Sequence, residues 1–124
     1  MYLHVIVDGR NVLQSRTPEP GERELVDAVA GWAADHARTP IVAVVFGGTY
    51  ESGDPGMSEH DERTVVVATG DEAAADVIVG EVEELRAERE PVIVTTSDLD
   101  LRERVEALGA KVIDGGAFLR TVLP

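Results

Sequence analysis

The chain has 124 residues, no cysteine, and 24 acidic against 11 basic side chains, for a formal net charge of −13 at pH 7. A domain of this size buries roughly two thirds of its unfolded surface without staples, and 44% hydrophobic residues exclude a disordered or collagen-like chain. The lack of cysteine removes disulfides, thiolate zinc sites and thiol nucleophiles and fits a reducing compartment, with the cytoplasm as the default.

In chain order, Tyr2 to Val7 is a β-branched apolar run ended by Asp8-Gly9, a strand with an aspartate at its exit. After Pro20-Gly21, the spacing of Leu25, Val26, Val29, Trp32 and Ala33 predicts a helix from Glu22 to about Ala37. Ile41 to Phe46, Thr64 to Ala68, Val92 to Thr95 and Lys111 to Ile113 are four further strands. Glu72 to Glu88 carries an apolar stripe of Ala75, Ile78, Val79, Val82 and Leu85. Leu101, Val105 and Leu108 mark a last helix stopped by Gly109. The 17 residues from Gly47 to Arg63 have no helical period and read as a long acidic loop. Alternating helices and near-continuous Val and Ile strands predict one α/β domain over residues 1–124, three-layered, with a mainly parallel five-stranded sheet. No run is long enough to span a membrane, and the first residues lack the pattern of a signal peptide.

The acidic residues fall after strand ends: Asp8 after the first, Asp71, Glu72 and Asp76 after the third, Asp98 and Asp100 after the fourth, Asp114 after the fifth. In an open parallel sheet these positions share the carboxyl edge, where ligands bind. Carboxylates held together repel unless a cation compensates, and an oxygen-only set suits Mg²⁺ or Mn²⁺. Taken singly, Asp71, Glu72, Asp98 and Asp100 are better explained as helix-start residues, and Asp114 before Gly115-Gly116 as a turn or cap rather than a ligand. Asp8, with no helix expected close behind it, reads as functional.

These residues carry a resemblance. VDGRNV at 7–12, AADVIVGEVEEL at 74–85 and TTSDLDLRERVEALGAKVI at 95–113 resemble the NYN domain family, in particular its YacP-like branch among the PIN-like nucleases. The resemblance implies a PIN-like three-layer fold with the five strands ordered 3-2-1-4-5. It also implies a metal-dependent ribonuclease site built from Asp8, Asp76, Asp98 and Asp100. Two positions depart from that pattern: Arg10 stands where the branch tends to carry an aromatic residue, and Ala73 where an acidic residue is usual three before Asp76. Glu72 and Asp71, four and five residues before Asp76, are the acidic residues nearest to that position.

In the enzyme reading, one or two Mg²⁺ or Mn²⁺ ions are held by Asp8, Asp76 and Asp98, with Asp100 and Glu72 completing the set, and a phosphodiester of single-stranded RNA is hydrolysed in line. Asn11 orients Asp8 or touches substrate, or is a turn residue bonding its own backbone. Arg10 and Arg16, on the loop after the first strand, are candidates for phosphate contact, since an arginine fork can grip phosphate even within an acidic protein. The histidines His4, His36 and His60 lack metal-ligand spacing, and Ser97 lacks the setting of a serine nucleophile. The alternative is a catalytically weak or inactive module that binds RNA or a protein partner, which the acidity favours. A homodimer is left open.

Overall fold

Backbone pairing rather than local pattern decides the architecture, as the computed structural model, which describes all 124 residues, makes plain. The elements run β1 (His4–Asp8), α1 (Gly9–Gln14), α2 (Glu22–Asp35), β2 (Ile41–Phe46), β3 (Gly56–Glu59), β4 (Thr64–Ala68), α3 (Ala74–Ala87), β5 (Val92–Thr95), α4 (Leu99–Ala107), β6 (Lys111–Ile113) and α5 (Gly115–Val122). They form one six-stranded sheet of order β3-β4-β2-β1-β5-β6. The five strands expected from sequence keep their expected order, all parallel. The sixth, β3, joins the edge antiparallel to β4, with Met57 opposite Val67 and Ser58 opposite Val66.

That edge strand corrects the expectation of a structureless segment from Gly47 to Arg63. All four β3 residues are exposed, so nothing in their side chains alternates, and pairing with β4 makes the strand. The preceding turn is pinned from outside. Tyr50 stacks on Phe46 with ring centroids 5.3 Å apart, burial pushes its hydroxyl up to about 12, and the Glu51 N–H donates to Glu22 Oε1 at 3.1 Å. Two further helices were not expected, α1 and α5. The first has only Val12 and Leu13 as buried apolar side chains, too few to show a period. The second hides behind Gly115-Gly116 although Phe118 and Leu119 are buried, Phe118 edge-on to Trp32 at 5.2 Å.

Helices cover both faces of the sheet, which is why its strands are apolar on both sides. On one face Val5, Val7, Val42, Val44 and Phe46 pack against Val12, Leu25, Val29 and Phe118. On the other Ile6, Val45 and Val94 pack against Ile78, Val82, Leu101 and Val105. No helix is long and apolar enough to cross a membrane.

Candidate active site at the carboxyl edge of the sheet

Asp8 ends β1, the third strand from one edge and the fourth from the other, and it is 8% exposed. The chain turns straight from it into α1, which corrects the expectation of no nearby helix. Asp8 occupies the N-cap position, yet its side chain makes no cap hydrogen bond. Its carboxylate points instead to the end of the neighbouring strand, where Thr96 Oγ1 donates to Asp8 Oδ2 at 2.8 Å. Burial raises the Asp8 carboxyl above its ordinary value of 3.8, the Thr96 hydrogen bond partly opposes this, and the charge of Asp98 raises it further. Replacing Thr96 by valine keeps the shape and deletes the donor. We expect the Asp8 carboxyl to move further up, read by NMR titration of its side-chain carbon.

Thr96 is itself 2% exposed and joins several groups. Its hydroxyl accepts from the Asp98 N–H at 3.1 Å and lies 3.4 Å from Asn11 Oδ1, which also accepts from the Ser97 N–H at 2.7 Å. A backbone N–H can only donate, so the Asn11 oxygen must face it and the amide N–H₂ must face the other way. That N–H₂ meets no acceptor within the protein. Ser97 in turn donates from Oγ to Asp114 Oδ1 at 2.8 Å and accepts from the Gly115 N–H at 3.1 Å. Asp114 caps α5 through Ala117, and its carboxyl is held below the ordinary range by the hydrogen bonds from Ser97 and Ala117. The role of Ser97 and Asp114 as a brace between two loops was not anticipated. No motif signals it, because only strand order brings the ends of β5 and β6 together.

The remaining predicted residues lie as follows. Asp98 is the N-cap of α4, its Oδ1 accepting from the N–H groups of Asp100 and Leu101 at 2.9 and 3.3 Å, while Oδ2 stays free of protein donors. Asp100 is exposed in the first turn of α4 and meets Asp98 through its backbone. Asp76 is exposed in the first turn of α3 and forms an ion pair with Arg104 at 3.0 Å, so it does not join Asp8 and Asp98. Glu72 is exposed before that helix. No three acidic or histidine side chains converge closely enough to share a metal ion. Arg10 and Arg16 belong to α1 and the turn just after it, rather than to a loop leaving β1. Arg10 is paired with Glu22 at 2.7 Å, donates to Thr49 O at 3.1 Å and covers the Phe46 ring. Arg16 donates to Leu123 O at 2.6 Å. Both arginines are thereby tied into the fold.

A three-layer α/β domain with a buried aspartate at the end of its central strand and a hydrogen-bonded polar cluster beside it is PIN-like in architecture. The chain belongs to the YacP-like NYN domain family, whose model matches residues 5–123. Among solved structures it is similar to the crystal structure of Rae1 (YacP) from Bacillus subtilis, with TM-score 0.74 and 21% identity over 95% of this chain and 72% of that one. A tryptophan-to-leucine mutant of the same protein gives TM-score 0.72 and 22% identity over 96% of this chain and 73% of that one. No curated protein sequence matches.

Proposed function

We propose that this domain is a ribonuclease that hydrolyses phosphodiester bonds with a divalent cation bound beside Asp8. NYN domains are generally nucleases, and membership of the family supports a hydrolase acting on RNA. The observation that carries the reading is the desolvated Asp8 carboxylate, braced by Thr96 and pushed up by Asp98 at the ligand-binding edge of the sheet. A buried carboxylate so placed is stabilised by a cation.

The donor chemistry fits Mg²⁺ or Mn²⁺. Asp8 and the free oxygen of Asp98 are hard oxygen ligands, and Mg²⁺ is commonly held by one or two carboxylates together with substrate phosphate. Asp76, Asp100 and Glu72 complete the set only if substrate or metal draws them in, Asp76 leaving Arg104. A bound ion supplies Lewis-acid polarisation of the phosphate. The chain's own residues do the rest. Thr96 holds the Asp8 carboxylate in one orientation, and Asn11, its oxygen engaged by Ser97, presents an amide N–H₂ suited to a phosphate oxygen of single-stranded RNA.

The direct test is cleavage of an end-labelled, mixed-sequence single-stranded RNA with Mn²⁺, run beside Asp8→Asn to exclude a contaminating nuclease. Cleavage by the parent alone supports the proposal. Cleavage by both preparations, or by neither across varied RNA substrates, refutes it.

A second expectation concerns the cation itself. Saturation at about a hundredfold above Kd should stabilise the folded parent by roughly 2.7 kcal/mol. Asp98→Asn should abolish that Mn²⁺-dependent rise in Tm without unfolding the domain, because asparagine caps a helix about as well as aspartate. An equal rise in the variant removes Asp98 from the site.

A further inference from the structure

The opposite edge of the sheet holds a feature that the nuclease reading does not use. At the amino ends of β5 and β6 a cavity of about 200 Å³ is lined by Arg38, Arg86, Lys111, Gly109 and the first residues of β5, with no carboxylate in its wall. Three other surface cavities each carry at least one, Asp61 and Glu62 in the first, Asp35 in the second and Asp54 in the third. In a chain of net charge −13, three of its 11 basic side chains meeting without an acid is against the general trend.

These cations are also unspent. All six ion pairs of the protein use other side chains. Arg86 is fixed by donating from Nε to Leu108 O at 3.3 Å and from Nη1 to Glu90 O at 3.0 Å, which leaves Nη2 without an acceptor. The Arg38 guanidinium and the Lys111 ammonium make no hydrogen bond within the protein. Glu90, next in sequence to the lining residue Pro91, turns its Oε2 to accept from the Tyr2 N–H at 3.2 Å. Gly109, at φ +95°, makes the turn into β6, and a Cβ there would lie 3.0 Å from Arg86 Nε, so the glycine lets the guanidinium lie against the backbone.

We propose that this cavity is an anion site that takes a phosphate group, held by the free donors of Arg86 and closed by Arg38 and Lys111. It lies at the far end of β1 from Asp8, about 15 Å away for a five-residue strand at about 3.3 Å per residue. The phosphate comes either from a nucleic-acid backbone or from a small phosphorylated molecule.

The test is an amide NMR titration of the metal-free chain with inorganic phosphate and, separately, with a nuclease-resistant single-stranded oligonucleotide. Parent and the Arg38→Gln/Lys111→Gln double variant are compared. Arg86 is left in place because it ties α3 to the turns around it. Phosphate is expected to move the Gly109 and Lys111 amides of the parent and to bind the variant about tenfold or more weakly, as loss of charge-assisted hydrogen bonds requires. An oligonucleotide that moves the same amides and is displaced by phosphate identifies a nucleic-acid backbone as the source. A response to phosphate alone identifies a small ligand. If neither ligand moves those amides, or the variant binds as the parent does, the site is overturned. The readout involves neither cleavage nor metal, so its failure is separable from failure of the nuclease proposal.

Discussion

Asp8→Asn should lose at least about a thousandfold in RNA cleavage and yet melt at a higher temperature than the parent at neutral pH. The two effects share one cause. Because burial raises the Asp8 carboxyl, the folded protein keeps this proton to a higher pH than the unfolded chain, whose ordinary value is 3.8. Below that value both states are protonated and Asp8 costs no stability. As pH rises through it the unfolded chain ionises first, so stability falls until folded Asp8 has ionised as well, and the cost is constant above that point. Asparagine never ionises and keeps the amide oxygen that Thr96 can reach. The gain in Tm should therefore vanish when both proteins are melted well below pH 3.8, and it should shrink when saturating Mn²⁺ stabilises the parent alone. Calorimetry across pH, with and without Mn²⁺, checks this. A variant less stable than the parent at pH 7 would show that Asp8 serves the fold, not a ligand.

The strand pattern was the most legible part of the sequence, because runs such as Ile41–Phe46 are long, β-branched and buried on both faces, which leaves few alternatives. Asp8 was legible for the same reason, since an aspartate ending such a strand has to lie at the sheet's carboxyl edge. What could not be read was decided by contacts between distant segments. β3 is exposed along its whole length and exists through its pairing with β4. The convergence expected of Asp8, Asp76 and Asp98 followed from their shared edge, but an edge is wider than a metal's coordination shell. Asp76 lies on a helix beside α4, and the nearest opposite charge there is Arg104, in the second turn of that helix, so it pairs across the helices. Arg10 likewise looked free in sequence, while Glu22 and Thr49 claim it. Asp114 was legible as a cap, which it is, though its hydrogen bond to Ser97 needed β6 beside β5 to be seen.

The largest loss of stability from a single methyl group should come from Gly9→Ala. Gly9 follows Asp8 and opens α1, and it carries no positive φ, so backbone freedom is not what requires glycine. Space is. A Cβ at this position would lie 2.5 Å from Phe46 Cε1, 2.6 Å from Cδ1 and 2.9 Å from the Val45 carbonyl oxygen. The Phe46 ring is fully buried, stacked on Tyr50 and covered by Arg10, and the Val45 carbonyl belongs to β2 directly beside Asp8 in the parallel register. Neither can yield without moving β2, the pinned turn at Tyr50 or the start of α1. Overpacking of this kind costs roughly 3 kcal/mol, which in a domain of this size lowers Tm by about 10 °C. Because α1 carries Asn11 and leaves directly from Asp8, the displacement also pulls the Asn11 oxygen away from the Ser97 N–H. Cleavage should therefore fall in Gly9→Ala even at temperatures where the variant remains folded. A thermal melt beside a cleavage assay at low temperature measures both. A melt unchanged from the parent would mean that Phe46 has room to move and that the close approach of α1 to β2 does not hold the site.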